Sequence, residues 1–519
     1  MNGKEWENLP QIRNTKTGDA ALYVEGKEFF VLGGEVHNSV SSSMAYMDEY
    51  VWNKLAELPM NTLLVPVHWE LVEKEKGEFD FSLPRQIIDR ARAAKIRLIF
   101  LWFGLWKNGA SNYAPAWMKR DSKRYFRARC RGGKPSETIS CFCEEAVEAD
   151  AEAFGKLMAF LREYDGQEHT VIMVQVENEV GFYGEERDFG SEAEKKYQEP
   201  VPEAVSRLYG KTGNWEQVFD YEAPEYFMSW YMAGAMERIA AAGKREYPIP
   251  MFANVWLEQF PFRPGTYPSG GPIARMIPIW KEAAKSIDML SPDIYHSDFY
   301  GCCDRYALRN NPLFIPETAR QPLAASNLLG ALGCYHNLIG FSPFGIDDLL
   351  NAPVYAQMQE SELDALLIDW QWDRCLPENT EYLRRAYKIV EGVWELYRKE
   401  KEEFIGFARR NENEDGTVIP MGKYDVLLKY PETKNRAGSG GFLFPVNEFC
   451  FYIAGCNVQI SLAGRRASGL YAEPVGMWEG RFENGEFIPG RKQNGDRLYQ
   501  QSRLADMPTV LKFEVGIYE

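Results

Sequence analysis

The sequence contains no run approaching the roughly 18 apolar residues that a membrane helix needs. Its start, Met1-Asn2-Gly3-Lys4-Glu5-Trp6-Glu7, has no apolar core of secretory-leader length. No membrane partner is expected. Basic charge is also short: 75 acidic residues against 59 basic ones give a formal net charge of -16. A phosphate backbone wants a basic patch, so no nucleic acid partner is expected. An acidic polymer would be repelled at long range, which leaves a neutral substrate. The five histidines (His37, His68, His169, His296 and His336) show no i, i+4 pair and no cysteine partner, so no metal is expected. Nine cysteines form neither a disulfide framework nor Cys-x-x-Cys knuckles, the pattern of reduced thiols in a cytoplasmic protein. Gly33-Gly34 is followed by no Lys-Ser/Thr and no Gly-x-x-Gly, so it is not a phosphate loop, and no cofactor is implied.

What is present is an ordinary globular composition, 45% hydrophobic and 26% charged. A length of 519 residues holds a barrel of roughly 250–400 residues and one further domain. Thr170 to Val174 are β-branched or apolar with no turn former among them, the texture of a strand buried on both faces. The run then breaks into Gln175-Val176-Glu177-Asn178-Glu179-Val180-Gly181. A second short apolar run, Pro312-Leu313-Phe314-Ile315-Pro316, ends on Glu317-Thr318. Carboxylates at the C-terminal tips of buried parallel strands mark the catalytic face of a (β/α)8 barrel.

The remaining strands follow in order: Phe29–Leu32, Thr62–Val67, Ile96–Phe103, Ile249–Val255, Ile287–Ile294 and Leu338–Phe344. Helical spacing separates them, over Tyr46–Leu58, Pro84–Lys95, Cys143–Tyr164 and 225–243. The polar stretch 182–224, broken by Gly and Pro, reads as a lid or wall of the site. Eight strand-plus-helix units with right-handed crossovers place every strand tip on one face. From about residue 402 short alternating segments split by Gly, Asn and Pro read as an antiparallel β-sandwich, with 381–401 as a connecting helix and 434–441 as a hairpin tip. The expected architecture is a catalytic barrel over 1–390 with an N-terminal lead-in, and a smaller β domain over 391–519.

Two carboxylates on two barrel strands suit the cleavage of glycosidic bonds. An acetal needs a proton for its leaving oxygen and a negative group beneath the developing oxocarbenium ion, so the two acids must be held at different pKa values. Glu179 is assigned as acid/base, because Asn178 beside it can hydrogen-bond the hydroxyl next to the anomeric carbon. Glu317 is assigned as nucleophile. Indole faces stack on sugar CH surfaces, which makes Trp69, Trp102, Trp106 and Trp256 candidates for substrate binding. Glu35 and Glu70 are candidates for binding sugar hydroxyls.

The Gln175–Glu179 segment resembles the acid/base motif of clan A glycoside hydrolases. Gly33-Gly34-Glu35-Val36-His37, Trp52, Leu55, Asn61-Thr62, Val65, Val67, Trp69-Glu70 and Gly77-Glu78-Phe79-Asp80-Phe81 resemble the N-terminal signature of glycoside hydrolase family 35, the β-galactosidases. Tyr113-Ala114-Pro115-Ala116-Trp117 is similar to that family's Pro-x-Trp stretch. The resemblance covers roughly 20–390, and the smaller C-terminal domain resembles one attached to a bacterial subgroup. It implies a retaining double displacement with Glu179 as acid/base and Glu317 as nucleophile. It also implies a site tyrosine at Tyr295, which can hydrogen-bond the nucleophile or the ring oxygen.

Two departures stand out. Asn38-Ser39 replace an aromatic and an arginine after His37, and Phe103-Gly104-Leu105-Trp106 occupies the region where an Asn-Ala-Glu contacts galactose. The resemblance implies release of terminal β-linked galactose from an oligosaccharide or small glycoside, and the departures motivate its nearest rival. A β-glucosidase or glycosyl-transferring variant of the same mechanism, a non-catalytic sugar-binding barrel and a zinc-dependent hydrolase are the alternatives. A homo-oligomer that closes the site mouth is compatible with this architecture.

Overall fold

A computed structural model describes residues 8–15, 18–355, 357, 377–431, 437–465, 469–493, 495–500 and 502–519. The Met1–Glu7 leader reading, Cys375 and the 434–436 part of the expected hairpin tip lie outside them. The eight strand-plus-helix units are all present, and the fold class is a (β/α)8 barrel followed by a smaller strand-rich domain. The barrel strands are β1 (Val31–Leu32), β2 (Thr62–His68), β3 (Arg97–Lys107), β4 (Val171–Asn178), β5 (Met251–Trp256), β6 (Met289–Asp293), β7 (Leu313–Ile315) and β8 (Leu338–Phe341). β2 and β4 are buried at every position, which accounts for their near-continuous apolar sequence.

Close contacts divide the chain into two units. The first comprises 1–52, 61–294 and 308–317 and holds β1 to β7. Its strands run parallel in chain order. β1 joins β2 where the Leu64 N–H donates to the Gly34 carbonyl and the Val36 N–H to the Leu64 carbonyl. Parallel ladders then join β2 to β3, β3 to β4 (with register shifts at Leu98/Ile99 and Trp102/Lys107), β4 to β5 and β5 to β6. The Ile294 N–H donates to the Glu317 carbonyl at 2.9 Å and carries the order on to β7. The crossover helix Glu144–Asp165 buries Val147, Phe154, Leu157, Met158 and Leu161 at helical spacing. It packs on the helix Ala223–Glu246, where Gly243 permits the approach: a Cβ there would meet the Phe154 ring at 2.3 Å.

The stretch 182–224, expected as a lid or wall of the site, contains three short helices, Ser191–Gln198, Glu203–Tyr209 and Trp215–Phe219. The polar and turn-forming residues there are their boundaries. Gly210 ends the second helix in the left-handed conformation, and the Asn214 side chain caps the third in a capping box with Gln217.

The second unit comprises 53–60, 295–307 and 318–519. Its β domain has two antiparallel sheets. One has six strands in the order 405–408, 440–447, 450–456, 509–518, 471–483, 486–492, and the other four in the order 416–420, 424–429, 458–464, 503–504. Phe407, Leu443, Ile453 and Phe513 of the first sheet and Val426, Leu428 and Ile460 of the second form one core. The second unit takes in residues before the expected boundary at 390/391, among them the helix Leu323–Cys334, which packs directly on strands 405–408 and 440–447. A Cβ on its Gly333 would meet the Gly406 Cα at 2.6 Å. Among the described residues no helix is long and apolar enough to cross a membrane.

Candidate active site

β4 is buried throughout, and its backbone leaves the ladder abruptly. Glu177 and Glu179 both take left-handed conformations, with φ of 60 and 44, on either side of Asn178. Such conformations are unfavourable for residues with a Cβ and persist only where surrounding contacts hold them. For Glu177 those contacts are explicit. Its carboxyl accepts the Leu105 N–H at 3.2 Å and the Trp106 N–H at 2.6 Å. Asp150, one layer out on the helix Glu144–Asp165, accepts the Trp102 indole N–H at 2.7 Å and the Leu105 N–H at 2.9 Å. Burial first, and then each other's proximity, pushes Glu177 well above the usual carboxylate range, and burial also raises Asp150. A proton shared between them satisfies the pair. This knot fixes the irregular run of β3 between Trp102 and Lys107, and Gly104 within it has no room for a side chain.

The knot places Lys107 and Asn178 in the site. The Lys107 ammonium donates to Asn178 Oδ1 at 2.9 Å, and Asn178 Nδ2 donates to Glu317 Oε1 at 3.3 Å. Asn254, on β5, completes the frame. Its Oδ1 accepts the Glu179 backbone N–H at 2.9 Å, and its Nδ2 donates to Glu317 Oε1 at 3.2 Å and to Asp293 Oδ2 at 2.8 Å. One oxygen each of Glu179, Asp293 and Glu317 lie within 4.8 Å of one another, and all three residues are buried. Burial, followed by the charge of Glu317, pushes Glu179 up to about 8, against the opposing pull of Lys107. Glu35, just beyond β1, is fully buried with both carboxylate oxygens unpartnered. Burial first, then Glu317, raises it well above the usual range.

Three carboxylate oxygens at this range compete for protons or for a cation. The amide N–H groups of Asn178 and Asn254 aim at the Glu317 and Asp293 oxygens, and such donors repel a cation while stabilising a carboxylate. Burial, and then the charge of Glu317, favours the protonated form of Glu179 and of Asp293.

The structure thus brings together Glu179, Glu317, Asn178 and Glu35 from the sequence reading, and adds Asn254, Asp293 and Lys107. His68, at the end of β2, stands at the Asn38 carbonyl, 2.7 Å away, and is held below its usual pKa chiefly by burial. Three tryptophans fall outside the expected stacking role. Trp69, Trp102 and Trp106 are fully buried, their indole N–H groups donating to Glu73, Asp150 and the Ile139 carbonyl. They have no face to offer a sugar and serve as core. Trp256 is partly exposed at the end of β5, stacked on Tyr183 with centroids 5.4 Å apart. Glu70 is half-exposed and pairs with Lys119 at 3.4 Å, an ordinary surface contact. Tyr295 belongs to the second unit and is 51% exposed. Asp293 carries the same signal that marks Glu179 and Glu317, an acid closing an apolar strand.

Comparison with known proteins bears on this geometry. The family model for glycosyl hydrolases family 35 matches residues 21–242, and a domain of unknown function, DUF5597, matches 383–504. The first match contains Glu35, Lys107, Asn178 and Glu179, while Asn254, Asp293 and Glu317 lie beyond it. "Beta-galactosidase-1-like protein 3" of Mus musculus is 28% identical over 203 residues, covering 36% of this chain and 28% of that protein. A "Beta-galactosidase" of Xanthomonas manihotis is 27% identical over 180 residues, covering 33% of this chain and 27% of that one. The chain thus spans under a third of the length of these relatives. Among solved structures, the catalytic domain of a beta-amylase from Paenibacillus polymyxa overlays with a TM-score of 0.46 at 12% identity, covering 61% of this chain and 92% of that one. A beta-galactosidase from Rahnella sp. R3 overlays at 0.42 and 15%, covering 61% and 50%. Through its segment 21–242 the chain resembles glycosyl hydrolases family 35.

Proposed function

We propose that the protein is a retaining exo-acting β-glycosidase that releases terminal β-linked galactose from an oligosaccharide or small glycoside. The observation that carries this reading is the pairing of Glu179 and Glu317, with oxygens within 4.8 Å and Glu179 pushed up to about 8. Retaining enzymes hold their two carboxyl groups about 5–5.5 Å apart, whereas inverting ones leave about 6.5–9.5 Å for a water. In the first step a Glu317 carboxylate oxygen bonds to the anomeric carbon while Glu179 gives its proton to the departing oxygen. In the second, Glu179 takes a proton from water, the water oxygen bonds to the anomeric carbon, and Glu317 leaves as carboxylate. Glu179 is raised by burial first and by the Glu317 charge second; esterification of Glu317 removes the second, so the same residue becomes more readily a base when a base is needed. Asn178 and Asn254 hold Glu317 in line, and the unpartnered oxygens of Glu35 are acceptors for sugar hydroxyls.

A second reading keeps the mechanism and changes the sugar to glucose, or the acceptor from water to another hydroxyl. It is favoured by the end of β3, where Lys107 is bound to Asn178 and the galactose-contacting Asn-Ala-Glu is missing. Turnover of aryl β-galactoside and β-glucoside by wild type and Glu317→Ala tests both. Galactoside turnover lost in the variant is the expected result. Glucoside preference favours the second reading, and no turnover on any sugar leaves either a demanding aglycone or a barrel that only binds.

A further inference from the structure

Asp293 is a third carboxyl in a reaction that needs two. It closes β6 in register with Trp256 of β5 and is buried. Its Oδ2 accepts the Asn254 amide at 2.8 Å, and its Oδ1 is buried with no hydrogen-bond partner. Its carboxyl lies within hydrogen-bonding reach of Glu179. Two carboxyl groups meet in this way only with a proton between them. The charged and titratable groups around Asp293 are Glu35 beyond β1, Glu179 beyond β4 and Glu317 beyond β7, with Lys107 at the end of β3 acting on Glu35 and Glu179. Burial, then Glu317, Glu179 and Glu35, pushes Asp293 well above the usual range, so the shared proton sits on Asp293 when Glu179 is ionised.

We propose that Asp293 is a positioning residue for Glu179: its carboxyl keeps a proton and donates it, as a hydrogen bond, to the carboxylate that Glu179 bears after protonating the departing oxygen. The inference rests on the reading of Glu179 as acid/base. The Glu179 proton goes to the leaving oxygen, and the Asp293 proton stays on Asp293 throughout. In the second step Glu179 is reprotonated by water and the hydrogen bond relaxes. Asn254 sets the geometry, because its amide holds Oδ2 and leaves Oδ1 for Glu179.

The test compares glycosides whose leaving groups do and do not need a proton. For Asp293→Ala, kcat/KM on an alkyl glycoside is expected to fall about 10- to 100-fold, the worth of a hydrogen bond to a charged group. On the dinitrophenyl glycoside, which departs unprotonated, the change is expected to be under about three-fold. The alkaline limb of kcat/KM moves to higher pH, since Glu179 loses the donor that stabilises its anion. Asp293→Asn keeps the acceptor for Asn254 and turns an N–H toward Glu179, so alkyl-glycoside turnover returns to within about five-fold of wild type. Equal losses on both substrates in both variants, or an unchanged alkyl-glycoside rate in Asp293→Ala, overturn the proposal. If Asp293→Ala does not fold, a selective loss of alkyl-glycoside turnover in Asp293→Asn overturns it instead. Glu179→Ala separates the two levels. If it shows no dependence on the leaving group, the acid/base reading fails with the inference. If it does and Asp293→Ala does not, the inference alone fails.

Discussion

Replacing Glu317 by glutamine removes one charge and almost no volume, and the effect on Glu179 follows from the geometry. Two carboxylates about 5 Å apart repel by about 3 kcal/mol at an effective dielectric constant of about 20, or about two pKa units. Glu179 stands at about 8 through burial first and Glu317 second, with Lys107 opposing both. With the Glu317 charge gone, burial remains and Lys107 pulls unopposed, so Glu179 is expected to settle near about 6. The variant lacks the proposed nucleophile, so the titration must be read directly. The assay is the carboxyl C=O infrared band as a function of pH, taken as the difference between Glu317→Gln and Glu317→Gln/Glu179→Gln. The same downward shift is expected in wild type once a slow fluorosugar has esterified Glu317. A Glu179 that still titrates near 8 in Glu317→Gln would refute the reasoning, because the pair would then be too weakly coupled for one residue to serve as acid and then base.

Three further outcomes follow from the same contacts. In wild type, kcat/KM on an unactivated glycoside is expected to fall above pH about 8, since the acid must hold its proton and loses it as pH rises through its raised pKa; a pH–rate profile extended to pH 10 checks this. Asp150→Ala strips the Trp102 indole N–H of its acceptor and the Leu105 N–H of one of its two, an expected loss of about 2–4 kcal/mol measured by urea unfolding. Gly104→Ala would put a Cβ 2.3 Å from Glu177 Oε1 and 2.6 Å from Asp150 Oδ2, so it is expected to destabilise by about 1–3 kcal/mol and to lower kcat by displacing Asn178; unfolding and steady-state rates measured together test it.

Much of this was legible in the chain because buried parallel strands have a plain signature. β4 and β7 announce themselves as short apolar runs, and an acid at the end of each has one natural place to point. The tryptophans were not legible for the same physical reason. A strand buried on both faces gives no alternation to say which side chain faces the barrel interior and which the helix layer. Trp102 faces Asp150, and only the fold reveals it. The irregular run of β3 depends on a buried proton-sharing pair whose members, Asp150 and Glu177, lie 27 positions apart, and no local pattern connects them. Asn254 and Asp293 are single polar residues at strand ends, informative only once β4, β5, β6 and β7 are brought side by side. The helices of 182–224 are too short for apolar periodicity to declare them, and their caps read instead as loop residues.

The measurement that bears most directly on the central claim is the anomer first released from an aryl β-galactoside, followed by proton NMR before mutarotation, in wild type and in Glu317→Gln. Release of the β anomer by wild type, with no release by the variant, is the expected result of a double displacement through Glu317. First release of the α anomer, or turnover that survives in Glu317→Gln, would contradict it.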